Sequence, residues 1–190
     1  MFTVHCARRE SNREIIRFVN RKSLYMLQRC MKYEKTKGSL IRTGGYGTVY
    51  NIQEDDDVVL KCTKTDASVY VKKTGVNEIF ISMLLPKHHP HIVKMLGYIC
   101  YQPCLLMEKI APIINISTLS RPEVALIHKQ LFKTIFELSD KYGFNHNDLK
   151  PGNVLVTKER GQLSIKLIDF GLSSMNYGAH KRIAAGFKPF

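Results

Sequence analysis

His146-Asn147-Asp148-Leu149-Lys150-Pro151-Gly152-Asn153, followed after a short apolar run by Asp169-Phe170-Gly171, decides how the rest of this 190-residue chain is read. The spacing H-x-D-L-x-x-x-N and then D-F-G sets one carboxylate where it can orient a hydroxyl, and an amide and a second carboxylate where they can ligate a cation. Asn153 and Asp169 offer hard oxygen donors of the kind magnesium prefers. Lys150 adds a point charge two positions after Asp148.

Other parts stand upstream in a fixed order. Ile41-Arg42-Thr43-Gly44-Gly45-Tyr46-Gly47-Thr48-Val49-Tyr50 is a glycine-rich turn between two strand-like runs. Val58-Val59-Leu60-Lys61 reads as a buried strand ending in a lysine. Asn77 to Leu85 reads as a helix with Ile79, Met83 and either Phe80 or Leu84 on its packed face, which leaves Glu78 free to point elsewhere. His88-His89-Pro90-His91-Ile92-Val93 follows, and Cys104-Leu105-Leu106-Met107-Glu108-Lys109-Ile110 is a short apolar strand closing on charge.

Taken together, Ile41 to Ser174 resembles the eukaryotic-type protein kinases of the serine/threonine class. The resemblance implies an α+β bilobal fold, with a β-rich N-lobe over residues 41–110 and a helical C-lobe over 111–190. It implies ATP and Mg2+ as cofactors. Catalysis would rest on Asp148, Lys150, Lys61 and Glu78, with Asn153 and Asp169 on the metal. The nucleotide would contact Ile41, Gly44, Gly45, Tyr46, Gly47, Val49, Val59, Lys61, Met107, Glu108, Ile110 and Leu155. Phosphoryl transfer is mostly positioning and charge neutralisation, so a rigid loop and a few charges suffice.

Four departures from the family pattern matter. Asn147 stands where many kinases carry the arginine that receives activation-loop phosphate, and Arg42 and Val59 replace a glycine and an alanine. Only nineteen residues follow Gly171. That absence of late helices resembles the minimal kinases of viruses and pathogens, and implies a truncated C-lobe with apolar surface open to self-association or a partner. The leading reading is an active kinase acting on a protein substrate in the cytoplasm or nucleus of a host cell. The alternative is an inactive kinase mimic that binds a host kinase or its substrate.

The remaining features bound the class. Ser120-Arg121-Pro122-Glu123 fits a capping box, and Val124, Ile127, Leu131, Ile135, Leu138 and Tyr142 carry a long helix to Gly143. His128 is read as an interfacial side chain and His146 as structural. A hydrophobic content of 44% is enough for a packed core, and no transmembrane run or signal peptide is expected. Cys6, Cys30, Cys62, Cys100 and Cys104 are odd in number and lack C-x-x-C spacing, which argues for a reducing compartment and against zinc or a disulfide framework. Residues 1–40 hold ten Lys or Arg against three Glu, a net +7 of the chain's +13. Ser11-Asn12-Arg13-Glu14 fits a capping box that would start a basic amphipathic helix there. It is expected to pack its apolar face on the domain, with contact to nucleic acid or an anionic membrane as the competing use.

Overall fold

The computed structural model describes residues 37–53, 55–64, 68–86, 88–99, 103–159 and 161–175. The basic helix expected from Ser11 lies outside them, as do Cys6, Cys30 and Cys100. The described residues form two compact units, one of 37–84 with 94–109 and one of 85–93 with 110–175.

In the first unit, β1 (Lys37–Thr43), β2 (Gly47–Ile52), β3 (Asp55–Thr63), β5 (Cys104–Glu108) and β4 (Met95–Ile99) make an antiparallel sheet in the order β1-β2-β3-β5-β4. The first strand starts at Lys37, inside the stretch assigned by sequence to the basic extension. Side chains alternate along β3, so Val58, Leu60 and Cys62 share one face and Val59, Lys61 and Thr63 the other. Val58, Leu60 and Cys62 join Ile52, Cys104 and Leu106 in a buried apolar cluster. At Gly47 a Cβ would stand 2.6 Å from the Cys62 carbonyl oxygen, so only glycine lets β2 approach β3 this closely.

Cys62 and Cys104 are directly opposed in the β3–β5 ladder and joined by a disulfide. This corrects the reading against disulfides. The two cysteines are 42 residues apart, and only the sheet register brings them together.

Helix α1 runs Val69–Leu84, beginning eight residues before the expected Asn77. Ser68 Oγ accepts from the Val71 N–H at 3.3 Å and starts it. Its buried residues are Thr74, Gly75, Glu78, Ile79 and Ile81. The packed face is therefore turned from the expected one, with Phe80, Met83 and Leu84 only half-buried. A Cβ on Gly75 would meet the Thr63 methyl and lie 2.9 Å from Pro103 Cβ. The bare glycine thus seats the helix on the sheet.

The second unit is built on α2 (Arg121–Tyr142). Glu123 Oε2 accepts from Ser120 N–H at 2.8 Å and Ser120 Oγ at 2.7 Å, and Gly143 closes the far end by donating to the Leu138 and Ser139 carbonyls. Ile127, Thr134 and Leu138 are buried. The helix is tied to two ribbons, β6 (Phe144–Asn145) with β9 (Ser174–Met175), and β7 (Val154–Glu159) with β8 (Gln162–Leu167). Gln130 Nε2 donates to the Leu163 carbonyl at 2.9 Å, and His91 Nδ1 lies 2.6 Å from Thr134 Oγ1. Ile92 makes a parallel bridge to Leu167. His128 is exposed, contrary to its interfacial reading, because it lies off the face carrying Ile127, Thr134 and Leu138. Phe132 and Phe136 stand one turn apart on the outer face, 74% and 75% exposed. A β-rich unit and a second unit organised by a long helix match the α+β architecture that the motifs imply. Among the described residues no helix is long and apolar enough to cross a membrane.

Candidate active site

Lys61 and Glu78 come from different elements of the first unit. The Lys61 Nζ lies 2.7 Å from Glu78 Oε1, with the side chains only 15% and 6% exposed. Two charges this dry hold each other in place, because removing either strands its partner at a cost of about 3–5 kcal/mol. Gly75 sets the distance, since it lets α1 settle one turn before Glu78.

Around Lys61 the sheet register gathers the expected nucleotide contacts of the same unit. Val49 pairs with Lys61 across β2 and β3, and Val59 pairs with Met107 across β3 and β5. Val59 and Met107 are both buried. Gly44, Gly45 and Tyr46 form the turn into β2, where Gly44 N–H donates to the Gly47 carbonyl at 2.8 Å. Ile41 is exposed on β1. Glu108 Oε1 accepts from the Lys94 N–H at 2.9 Å, and the Lys109 N–H donates to the Asp57 carbonyl at 2.8 Å, so the end of β5 is held on both sides. Ile110 and Leu155 belong to the second unit, both half-buried.

In the second unit Asp148 Oδ2 receives two donors, Lys150 Nζ at 2.6 Å and Asn153 Nδ2 at 2.9 Å. Asn153 Nδ2 also donates to the Asp148 backbone carbonyl at 2.9 Å. The Lys150 hydrogen bond, helped by Asn153, holds the half-buried Asp148 carboxyl below the usual carboxylate range. With its nitrogen committed to Asp148, Asn153 has its amide oxygen for a cation. Asp169 follows one residue after Ile168, whose N–H donates to the Asn153 carbonyl at 3.1 Å. One amide and one carboxylate, both hard oxygen donors, fit magnesium, which fills its other positions with water and phosphate.

The backbone is unusual at two places here. Asn147 and Asp169 have φ of 61° and 65°, a left-handed conformation that side chains other than glycine rarely adopt and that Asn and Asp tolerate best. Asn147 Nδ2 donates to the Leu172 carbonyl and to Ser174 Oγ, each at 3.0 Å. Sequence reading treated Asn147 as a lost arginine and missed that its amide latches the segment after Gly171. The available signal was its residue type, which offers donors and accepts positive φ. Ser173 Oγ reinforces the latch by donating to the His146 carbonyl at 3.0 Å. Behind it Phe144, His146 and Phe170 pack edge to face with centroids 5.6–6.1 Å apart, and all three are buried.

The family described as "Protein kinase domain" matches residues 35–185. Serine/threonine-protein kinase 10 of Mus musculus is 29% identical over 142 residues, covering 70% of this chain and 14% of its own. Cell division control protein 2 homolog 3 of Trypanosoma brucei brucei is 31% identical over 146 residues, covering 70% and 45%. The chain therefore spans less than half the length of these relatives.

Proposed function

Because the chain belongs to the protein kinase family, we propose that it transfers a phosphoryl group from magnesium-bound ATP to serine or threonine of a protein substrate. The observation that carries this reading is Asp148 fixed by Lys150 and Asn153, with Asp169 next in sequence to Ile168, whose N–H bonds the Asn153 carbonyl. Bound magnesium would neutralise phosphate charge, held by Asn153 and Asp169. Lys61, oriented by Glu78, holds phosphate oxygens; Val59 and Met107 wall the adenine. Asp148 aligns the acceptor hydroxyl, and Lys150 balances charge on the transferring group. Lys150 in this position also supports serine or threonine over tyrosine as acceptor. The retained Lys61–Glu78 pair and the Asp148 cluster favour catalysis over a binding-only mimic, which has no need of them. The exposed Phe132 and Phe136 on α2 offer an apolar surface for the expected protein contact of the second unit, whether to a partner or to a second copy.

Radiolabelled ATP transfer by the purified chain tests the reading. Asp148→Asn and Asp169→Asn should each lower transfer at least about a hundredfold. Only Asp169→Asn should greatly weaken magnesium-ATP binding measured by calorimetry. Tight magnesium-ATP binding by a parent that transfers nothing to any protein acceptor would overturn the catalytic reading in favour of the mimic.

A further inference from the structure

The Cys62–Cys104 bridge occupies one rung of the β3–β5 ladder, with both residues buried. Its sequence neighbours form the seat of α1. Thr63 follows Cys62 and Pro103 precedes Cys104. Thr63 N–H and Oγ1 both donate to the Pro103 carbonyl, at 2.8 and 3.2 Å. Gly75 of α1 rests on these same two residues. One turn further on, Glu78 meets Lys61, which immediately precedes Cys62. The rung therefore joins the support of the helix to both ends of the ion pair.

We propose that Cys62 and Cys104 are a reversible thiol–disulfide modification site that sets how firmly α1 presents Glu78 to Lys61. The consequence for nucleotide binding rests on the kinase reading of Lys61. The physical link is packing. As a disulfide the sulfurs share a bond; as thiols they must part to non-bonded contact, about 3.5–4.0 Å for heavy atoms. Ile52, Val58, Leu60 and Leu106 surround the pair, and so dense a cluster passes displacement on to the backbone instead of absorbing it. The backbone that moves is that of Lys61 and Thr63.

The chemistry balances with hydrogen peroxide as oxidant. One cysteine thiolate attacks peroxide, giving a sulfenic acid and hydroxide, which takes up the thiol proton to become water. The second thiol then attacks the sulfenic sulfur and releases another water, so two thiols and one peroxide give one disulfide and two waters. A dithiol reverses the step through a mixed disulfide, ending as its own cyclic disulfide and returning both cysteine thiols. Burial of both sulfurs makes either direction wait on local opening of the strand pair.

The test uses the full chain with Cys6, Cys30 and Cys100 changed to Ser, oxidised with peroxide or reduced with dithiothreitol, and the Cys62–Cys104 linkage verified by peptide mapping. Amide hydrogen exchange across α1 and the magnesium-ATP dissociation constant are read in both states. Reduction is expected to speed exchange over residues 74–81 and weaken nucleotide binding about three- to tenfold, a size usual for coupling through packed side chains. A Cys62→Ala, Cys104→Ala chain should ignore both reagents. Equal exchange in the two states, or equal affinity in a chain that does bind nucleotide, would overturn the proposal, as would failure of peroxide to form the linkage. Exchange that responds in a chain binding no nucleotide in either state would sustain the thiol site and overturn the kinase reading.

Discussion

His146 has lost almost all contact with water, and its two ring nitrogens fare differently. Nε2 lies 3.1 Å from the Ile168 carbonyl and must carry the proton of that bond, while Nδ1 has no partner among the described residues. A second proton would be buried without an acceptor, so burial lowers its pKa below the ordinary 6.5. The unfolded chain then takes up that proton first, and folding free energy is intact above 6.5 and falls as pH drops below it. Urea unfolding between about pH 7.5 and about pH 5 should show this decline, and His146→Gln should flatten it. The slope should not vanish, because burial also depresses His89. An unchanged slope in the variant would show that His146 carries none of the effect. At this scale the cluster of Asp148, Lys150 and Asn153 was legible in advance, since eight consecutive residues contain its whole geometry. The partners of Asn147 and of Cys62 were not, because each lies 25 or more residues away in the chain, in a position that no local pattern encodes.

Among the elements, α2 shows what a helix looks like when sequence and packing agree, with a cap, a periodic apolar face and a terminal glycine where each was expected. Helix α1 shows the opposite. Its first turns hold Val69, Val71, Thr74, Gly75 and Val76, residues whose intrinsic preferences argue against helix, and tertiary contact with Thr63 and Pro103 overrides them. Gly75→Ala separates the two influences. By propensity alone the change should gain about 1 kcal/mol. The added methyl, however, meets β3 and Pro103, and overpacking of this kind costs about 1–3 kcal/mol. A lower denaturation midpoint with weaker magnesium-ATP binding is the expected outcome. A stabilised protein would mean that the helix is not seated on that contact.

For the whole molecule, net charge is the first property that partners meet, and residues 1–36 supply nine of its Lys and Arg against three Glu. If they pack on the domain as their amphipathic pattern suggests, deleting them should lower the melting temperature. An unaltered melting curve together with loss of a salt-sensitive affinity for nucleic acid or anionic vesicles would replace packing with an electrostatic arm. The order of motifs made the division of the described chain legible, because Lys61, Glu78 and Met107 precede Ile110 and Asp148, Asn153 and Asp169 follow it. The cross-links within each unit were not legible in the same way. Each half of the machinery is held together inside its own unit, by the Lys61–Glu78 pair in one and by Asp148, Lys150 and Asn153 in the other. In terms of descent, such a chain can lose one talent without losing the other. On the kinase reading proposed above, a lineage that mutates Asp148 would keep the whole arrangement around Lys61, so in sequence space a catalyst and a nucleotide-binding scaffold would be neighbours, a single substitution apart.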